Sequence, residues 1–318
     1  MKKEGRFLNN LIVYMSHISI CFAVYQNQGS LTPLYERMIY ELTTHFPLHT
    51  YELLFVNDGS RDDSLAELLA LRKRDDNVKI ISFSRNFGQM AAILAGWDNA
   101  SGDCVINMAA DLQDPPEQCT LMIKEWEQGS DIVISYRISH GTSVSKKITS
   151  KIFYKLMLPD APPGGFDFTL LDRGPMNAIN SLKERHRFYQ YDILWAGFRV
   201  KYIPYHKLER QIGKSQYDFF KRFGNFYSGF LNVSYFPLRL MTIIGGIVAL
   251  SGFAYAVTII QVYFMNKTPF QGWAPIMILI LVIGGLIMLM LGMLGEYIWR
   301  ILDEVKGRPN YIIKEKIL

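Results

Sequence analysis

Between residues 17 and 137 the chain alternates short apolar runs with stretches of helical period. "HISICFAVY" (17–25), "YELLFVN" (51–57), "VKIISFS" (78–84), "CVINMAA" (104–110) and "DIVISYR" (131–137) are nearly continuous in apolar residues and of strand length. That pattern fits strands covered on both faces of a parallel sheet. Between them, "LTPLYERMIYELTTHF", "DSLAELLALRKRD", "GQMAAILAGWDNA" and "PPEQCTLMIKEWEQG" space their apolar residues as helices do. The alternation predicts an α/β fold, a doubly wound and mostly parallel sheet. Ligands of such sheets bind beyond the carboxyl ends of the strands. The polar residues that follow each run are therefore the candidates for function.

A second pattern takes over near the C-terminus. No charge interrupts the chain between Arg239 and Lys267, or between Lys267 and Glu296. Each stretch exceeds the roughly 20 residues that cross a hydrocarbon core, which predicts a two-helix transmembrane hairpin closed by a short loop around Lys267–Gly272. Lys221, Arg222 and Arg239 precede the hairpin, and Arg300, Lys306 and Arg308 follow it. This bias puts both ends, and the large N-terminal part, in the cytoplasm. The expected domains are 1–210, a globular catalytic domain; 211–238, a juxtamembrane segment; 239–299, the two spans; and 300–318, a cytoplasmic tail. "YDFFKRFGNFYSGFLNVSYFPLRL" (217–240) interleaves aromatic and basic residues, as segments lying in the headgroup plane do. "FLNNLIVYM" is too short for a cleaved signal peptide and lacks a small-residue cleavage site. Gly245, Gly246, Gly284 and Gly285 offer close helix contacts, including those of a homo-oligomer. Glu296 and Arg300 are spaced for a local i, i+4 pair.

Composition narrows the classes. Hydrophobic residues make up 49% of the chain and the net charge is +5, much of it near the predicted spans, where basic residues favour anionic headgroups. No nucleic-acid motif is present. Cys21, Cys104 and Cys119 lack paired spacing and read as buried thiols. "GKS" at 213–215 is not a phosphate-binding P-loop, because the required first glycine is Leu208.

The strand ends carry the chemistry. Asp58 lies one residue past a strand in "NDGS", which suits a turn and helix cap and equally a carboxylate that accepts the imide N–H of a nucleobase. Asp111 in "ADLQDPPE" suits a helix N-terminus and equally a ligand for a divalent ion. Two acids at i and i+2 on an extended segment point the same way, but here the first of such a pair is Ala109.

Together, "VNDGSRDDS", "SRNFG", "ADLQDPPE", "FDFTLLDR", "GKSQY", "FPLRL" and "LGEYIWRILDEVKGRPNYII", in this order ahead of a two-span hairpin, resemble the inverting family-2 glycosyltransferases of GT-A fold that act on polyprenyl phosphate. The resemblance is to dolichol-phosphate mannose synthase and GtrB-type bactoprenol glucosyltransferases, and it covers nearly the whole chain. It implies transfer of a sugar from a nucleotide sugar, UDP-glucose first, to undecaprenyl phosphate at the inner membrane, with Mg2+ or Mn2+ as cofactor. It implies nucleotide-sugar contacts from Ala23, Tyr25, Asn27, Asp58, Ser60, Arg85, Asp111 and Gln113, with the metal on Asp111. Asp167 and Asp111 carry the catalytic roles. Arg137, Lys146, Lys147, Lys151, Arg210 and Lys214 are the candidates for the acceptor phosphate.

The chain departs from the family pattern at several points. Pro-Val-Tyr-Asn-Glu is here Ala23, Val24, Tyr25, Gln26, Asn27; an arginine is replaced by Thr169, and Gln89 stands where a lysine is common. Ala109 leaves three readings: natural divergence with the metal on Asp111, Gln113 and the diphosphate; a weakened enzyme; or an engineered Asp→Ala change. A catalytically impaired scaffold that binds nucleotide sugar or lipid is the alternative function. A lipid flippase is disfavoured by spans with few ionisable residues.

Overall fold

The computed structural model describes residues 5–8, 11–138, 158, 161–162, 165–185, 187–208, 236–265 and 274–318. The chain divides into two compact units, 1–226 together with 309–318, and 227–308.

The first unit is built on an eight-stranded sheet. The strands are β3 (His17–Val24), β4 (Thr50–Asn57), β5 (Val78–Phe83), β6 (Cys104–Ala109), β7 (Ile132–Arg137), β8 (Phe168–Asp172), β9 (Val200–Tyr205) and β10 (Ile313–Ile317), in the order β10-β5-β4-β3-β6-β8-β7-β9. Strands β3 to β6 are mutually parallel, as are β7 and β9, while β8 runs antiparallel between β6 and β7. A separate antiparallel pair, β1 (Gly5–Leu8) and β2 (Leu11–Tyr14), precedes them.

Both faces of the sheet are covered, which is why its central strands are mostly apolar. Ile18, Ile20, Phe22 and Val24 face helices α1 (Leu31–His45), α2 (Ser64–Arg74) and α4 (Glu117–Glu127). Cys21, Leu54, Val56 and Val105 face α3 (Gln89–Asn99), α5 (Arg173–Asn180) and α6 (Tyr189–Trp195). Phe22 stacks on its register partner Phe55 at 4.7 Å. The five strands and four helices expected up to residue 137 are present, with ends shifted by a residue or two. All three cysteines are buried free thiols.

One ionic cluster lies inside the first unit. Glu52 on β4 is 1% exposed and accepts from Lys79 Nζ at 2.5 Å, Ser101 N at 2.6 Å, Ser101 Oγ at 2.7 Å, and Ser19 Oγ. Burial alone would raise this carboxyl, but the bonds from His17, Lys79, Ser19 and Ser101 hold it well below the usual carboxylate range.

Residues 300–318, expected to be a tail, divide between the two units. The second long helix continues to Val305, and the chain then enters the first unit's sheet as β10, antiparallel to β5. Tyr311 stacks on Phe83 at 5.0 Å and donates to Asp98 Oδ2 at 2.8 Å, and Ser84 N donates to Ile312 O at 3.0 Å.

The second unit holds α7 (Phe236–Phe264) and α8 (Ala274–Val305), each long and apolar enough to cross a membrane. Of the four glycines singled out above, Gly245 has a neighbour: a Cβ there would lie 3.7 Å from the Met290 methyl, whereas the other three meet nothing within 4 Å among the described residues. Glu296 and Arg300 form the expected pair at 3.3 Å. The juxtamembrane segment up to residue 235 and the interhelical loop lie outside the described residues.

Two outcomes are expected. Glu52→Gln lowers unfolding stability by about 2–3 kcal/mol at pH 7, since it leaves buried donors without their charged acceptor. A depressed folded-state pKa stabilises above the unfolded value near 4.3 and loses that contribution as pH falls. Denaturant titrations should therefore show the gap between wild type and variant closing below about pH 4. Deleting residues 309–318 strips the edge of β5; a loss of roughly 2 kcal/mol lowers the melting temperature by about 4–8 °C in a domain of this size, measured by calorimetry.

Candidate active site

The candidate residues that the structure describes gather beyond the carboxyl ends of the strands. After β3, the chain turns at Gln26, whose φ is 55°. The turn is stitched to the loop after β4: Gln26 N donates to Ser60 Oγ at 3.1 Å and Asn27 N to Ser64 Oγ at 3.0 Å, while Tyr25 N donates to Asn27 Oδ1 at 2.9 Å. Ala23, at the end of β3, is the register partner of both Val56 and Ala109.

Asp58 binds a third loop. It is 2% exposed, and its two oxygens accept from Phe87 N at 2.6 Å and Gly88 N at 2.9 Å. Burial pushes this carboxyl up, against the two backbone donors and Arg85. Gly59 beside it has φ +63°, and a Cβ there would meet Asn86 N at 2.7 Å, so the loops touch only because this residue is glycine. Arg85 sits over the Phe87 ring at 4.2 Å. Asp58 thus joins two loops through its carboxylate, besides any contact it makes with a nucleobase.

The turn after β6 carries Asp111. Asp111 Oδ1 accepts from Gln113 N at 3.2 Å, and Ser30 Oγ donates to Ala110 O at 2.9 Å. Leu112 adopts a φ of 60° with its side chain buried in the core, a left-handed conformation of the kind that costs a non-glycine residue of order 1 kcal/mol and needs outside support. Support comes from Asp114, 2% exposed, which accepts from the Tyr205 hydroxyl at 2.6 Å and lies 3.9 Å from Lys207 Nζ. Burial pushes the Asp114 carboxyl up, Lys207 and Tyr205 pull it down, and the charges on Asp167 and Asp111 add to the rise. No group of three acidic, histidine or cysteine side chains that could hold a metal occurs among the described residues.

Asp167 and Arg137, assigned different roles above, are partners. Arg137 Nη2 donates to Asp167 Oδ2 at 3.1 Å. The other oxygen accepts from the Tyr189 hydroxyl at 3.0 Å and Gln190 Nε2 at 3.1 Å. Asn107 Nδ2 on β6 holds the Asp167 carbonyl at 2.9 Å. The helix that supplies Tyr189 and Gln190 is fixed at its start by the buried Arg187–Asp192 pair at 2.8 Å. Thr169, where the family pattern has arginine, is fully buried beside Asn107.

Lys146, Lys147, Lys151, Arg210 and Lys214 lie outside the described residues. Asp114, Tyr189, Gln190 and Tyr205 were not singled out from sequence. Asp114 was visible inside "DLQDPPE" but reads there as part of a helix start; the other three gain their meaning from partners far away in the chain.

Comparison with known proteins identifies the family. The family model described as Glycosyl transferase family 2 matches residues 19–212. An uncharacterized glycosyltransferase of Synechocystis sp. is 36% identical over 94% of this chain and 95% of its own length. A prophage-derived bactoprenol glucosyl transferase of Shigella flexneri is 36% identical over 94% of this chain and 97% of its own. Among solved structures, glucosyl-3-phosphoglycerate synthase from Mycobacterium tuberculosis in complex with UDP is similar at 13% identity and a TM-score of 0.47, covering 68% of this chain and 79% of that one. The protein is a glycosyltransferase and belongs to glycosyl transferase family 2.

Proposed function

We propose that the protein transfers glucose from UDP-glucose to undecaprenyl phosphate, inverting the anomeric centre, at the cytoplasmic face of the inner membrane. The bactoprenol glucosyl transferases among its relatives support the acceptor class. The observation that carries the reading is Asp167 held beside Arg137: a carboxylate for sugar hydroxyls next to a cation for an acceptor phosphate.

A phosphate oxygen of the acceptor attacks the anomeric carbon, and UDP leaves with both electrons of the broken C–O bond. The second pKa of a phosphate monoester is roughly 6, so the nucleophile is already ionised at pH 7 and needs no strong base. Asp167, fixed by Tyr189 and Gln190, orients the reacting groups. Arg137, and in the same reading Lys146, Lys147, Lys151, Arg210 and Lys214, offset the acceptor's charge. Ala23, Tyr25, Asn27, Asp58, Ser60, Arg85 and Gln113 frame the nucleotide sugar.

Asp111 would hold Mg2+ or Mn2+, with Gln113 beside it. One carboxylate fits such an ion when substrate phosphates supply further oxygens. The ion, when bound, neutralises charge developing on the departing diphosphate.

The hairpin fits the same scheme. Strand β10 follows the two long helices and joins the sheet that precedes them. A chain that crosses a bilayer twice returns to the side it left, which supports one side for the whole catalytic unit. The lysine and arginine bias makes that side the cytoplasm, and residues 211–238 would rest in the headgroups, where the acceptor's phosphate lies. Close packing at Gly245 is compatible with one chain or with a homo-oligomer.

Purified full-length protein in detergent, given labelled UDP-glucose and undecaprenyl phosphate, is expected to form a metal-dependent glycolipid. Ala109→Asp should lower the half-saturating metal concentration roughly tenfold, about 1.4 kcal/mol of binding. Nucleotide binding without transfer by the wild type, in the presence of metal and across UDP-glucose, UDP-galactose, UDP-N-acetylglucosamine and GDP-mannose, would favour the scaffold reading suggested by Ala109.

A further inference from the structure

Between Ala109 and Glu117 the chain has no strand or helix, yet on the reading above Asp111 must stay in register with Arg137 and Asp167. Inside the turn Asp111 Oδ1 accepts from Gln113 N at 3.2 Å, and the buried Leu112 holds a left-handed conformation. Ser30 Oγ ties the start of the turn at Ala110 O, and its far end is anchored from β9. The Tyr205 hydroxyl reaches Asp114 at 2.6 Å, and three residues past β9, Leu208 N donates to Gln113 O at 2.8 Å.

Tyr205 also belongs to the other half of the site. It is the register partner of Arg137, its carbonyl accepts from Ile138 N at 2.9 Å, and its ring meets Phe168, the neighbour of Asp167, edge-on at 5.8 Å. One side chain therefore touches the Asp111 turn and the Phe168 ring, and its own backbone is hydrogen-bonded to the strand that carries Arg137. Phenylalanine would fill the same core space. The hydroxyl adds nothing to that packing, and a buried hydroxyl is unfavourable without a partner; its partner is the turn.

We propose that Tyr205 and Asp114 are positioning residues whose buried bond sets the distance between the Asp111 turn and the Arg137–Asp167 pair. The proposal rests on the transferase reading for its consequence and on geometry for its substance. Both side chains are buried, Tyr205 at 5% and Asp114 at 2% exposure, away from solvent. A displacement of about 1 Å in such a turn is enough to slow a positioned reaction ~100-fold.

The test uses full-length Tyr205→Phe, Asp114→Asn and Asp114→Ala in detergent. Tyr205→Phe is expected to melt cooperatively and to lose turnover by about 10- to 100-fold with the acceptor KM little changed. Amide hydrogen exchange should quicken at residues 110–114 and stay unchanged in β3 to β5. Asp114→Asn keeps an acceptor oxygen for the hydroxyl and should stay within about threefold of wild type, whereas Asp114→Ala should match Tyr205→Phe. Wild-type exchange at 110–114 in Tyr205→Phe, or exchange that rises evenly through the sheet, would overturn the proposal. Should Tyr205→Phe fail to fold, equal rates for Asp114→Asn and Asp114→Ala would overturn it. If the wild type transfers no sugar, the transferase reading fails while hydrogen exchange still decides whether the bond holds the turn.

Discussion

The Asp167 carboxylate is where the first unit's separate parts meet: Arg137 from β7 on one oxygen, Tyr189 and Gln190 from α6 on the other, and β6 through Asn107 on its main chain. This depends on one feature of topology. Strand β8 runs antiparallel between β6 and β7, so the residue entering β8 lies at the end where its parallel neighbours finish. Had β8 been parallel, its first residue would sit at the opposite edge of the sheet. Arg137 and Asp167 are 37% and 42% exposed, so their pairing contributes little to stability, at most about 1 kcal/mol. Its value is geometric: a cation and a carboxylate kept side by side, with the carboxylate's second oxygen held by neutral donors.

The other half of the site is organised by backbone. Asp58, Ser60 and Ser64 tie the loops after β3, β4 and β5 together, mostly by accepting main-chain N–H groups. Such bonds are indifferent to what side chains the loops carry. The loop after β3 is thus held by its main chain at Gln26 and Asn27, two of the positions that depart from the family pattern. Asp58 therefore has a structural task whether or not a nucleobase also meets it, and both uses favour an acid at that position.

Much of the fold was legible because the central strands are covered on both faces and are therefore mostly apolar. Where that constraint lapses, so does the signal. Strand β9, "VKYIPY", is half exposed and gives no continuous apolar run; β10, "IKEKI", is an edge strand with charged side chains, and its partner β5 is more than two hundred residues away. Strand β8 lay in plain view inside "FDFTLLDR" but is only five residues long. Asp58, Asp111, Arg137 and Asp167 were legible from their places after strands and from family likeness. The Arg137–Asp167 bond, and the tie from Tyr205 to Asp114 across 91 residues, exist only once the sheet has formed.

A double-mutant cycle on Arg137→Ala and Asp167→Asn tests the central claim most directly, with kcat/KM for sugar transfer as the readout. If the two side chains act as one unit, the double variant is about as slow as the slower single variant, a coupling of roughly 1–3 kcal/mol. If the two losses instead multiply, the residues act independently, and the bond between them is not what organises the site.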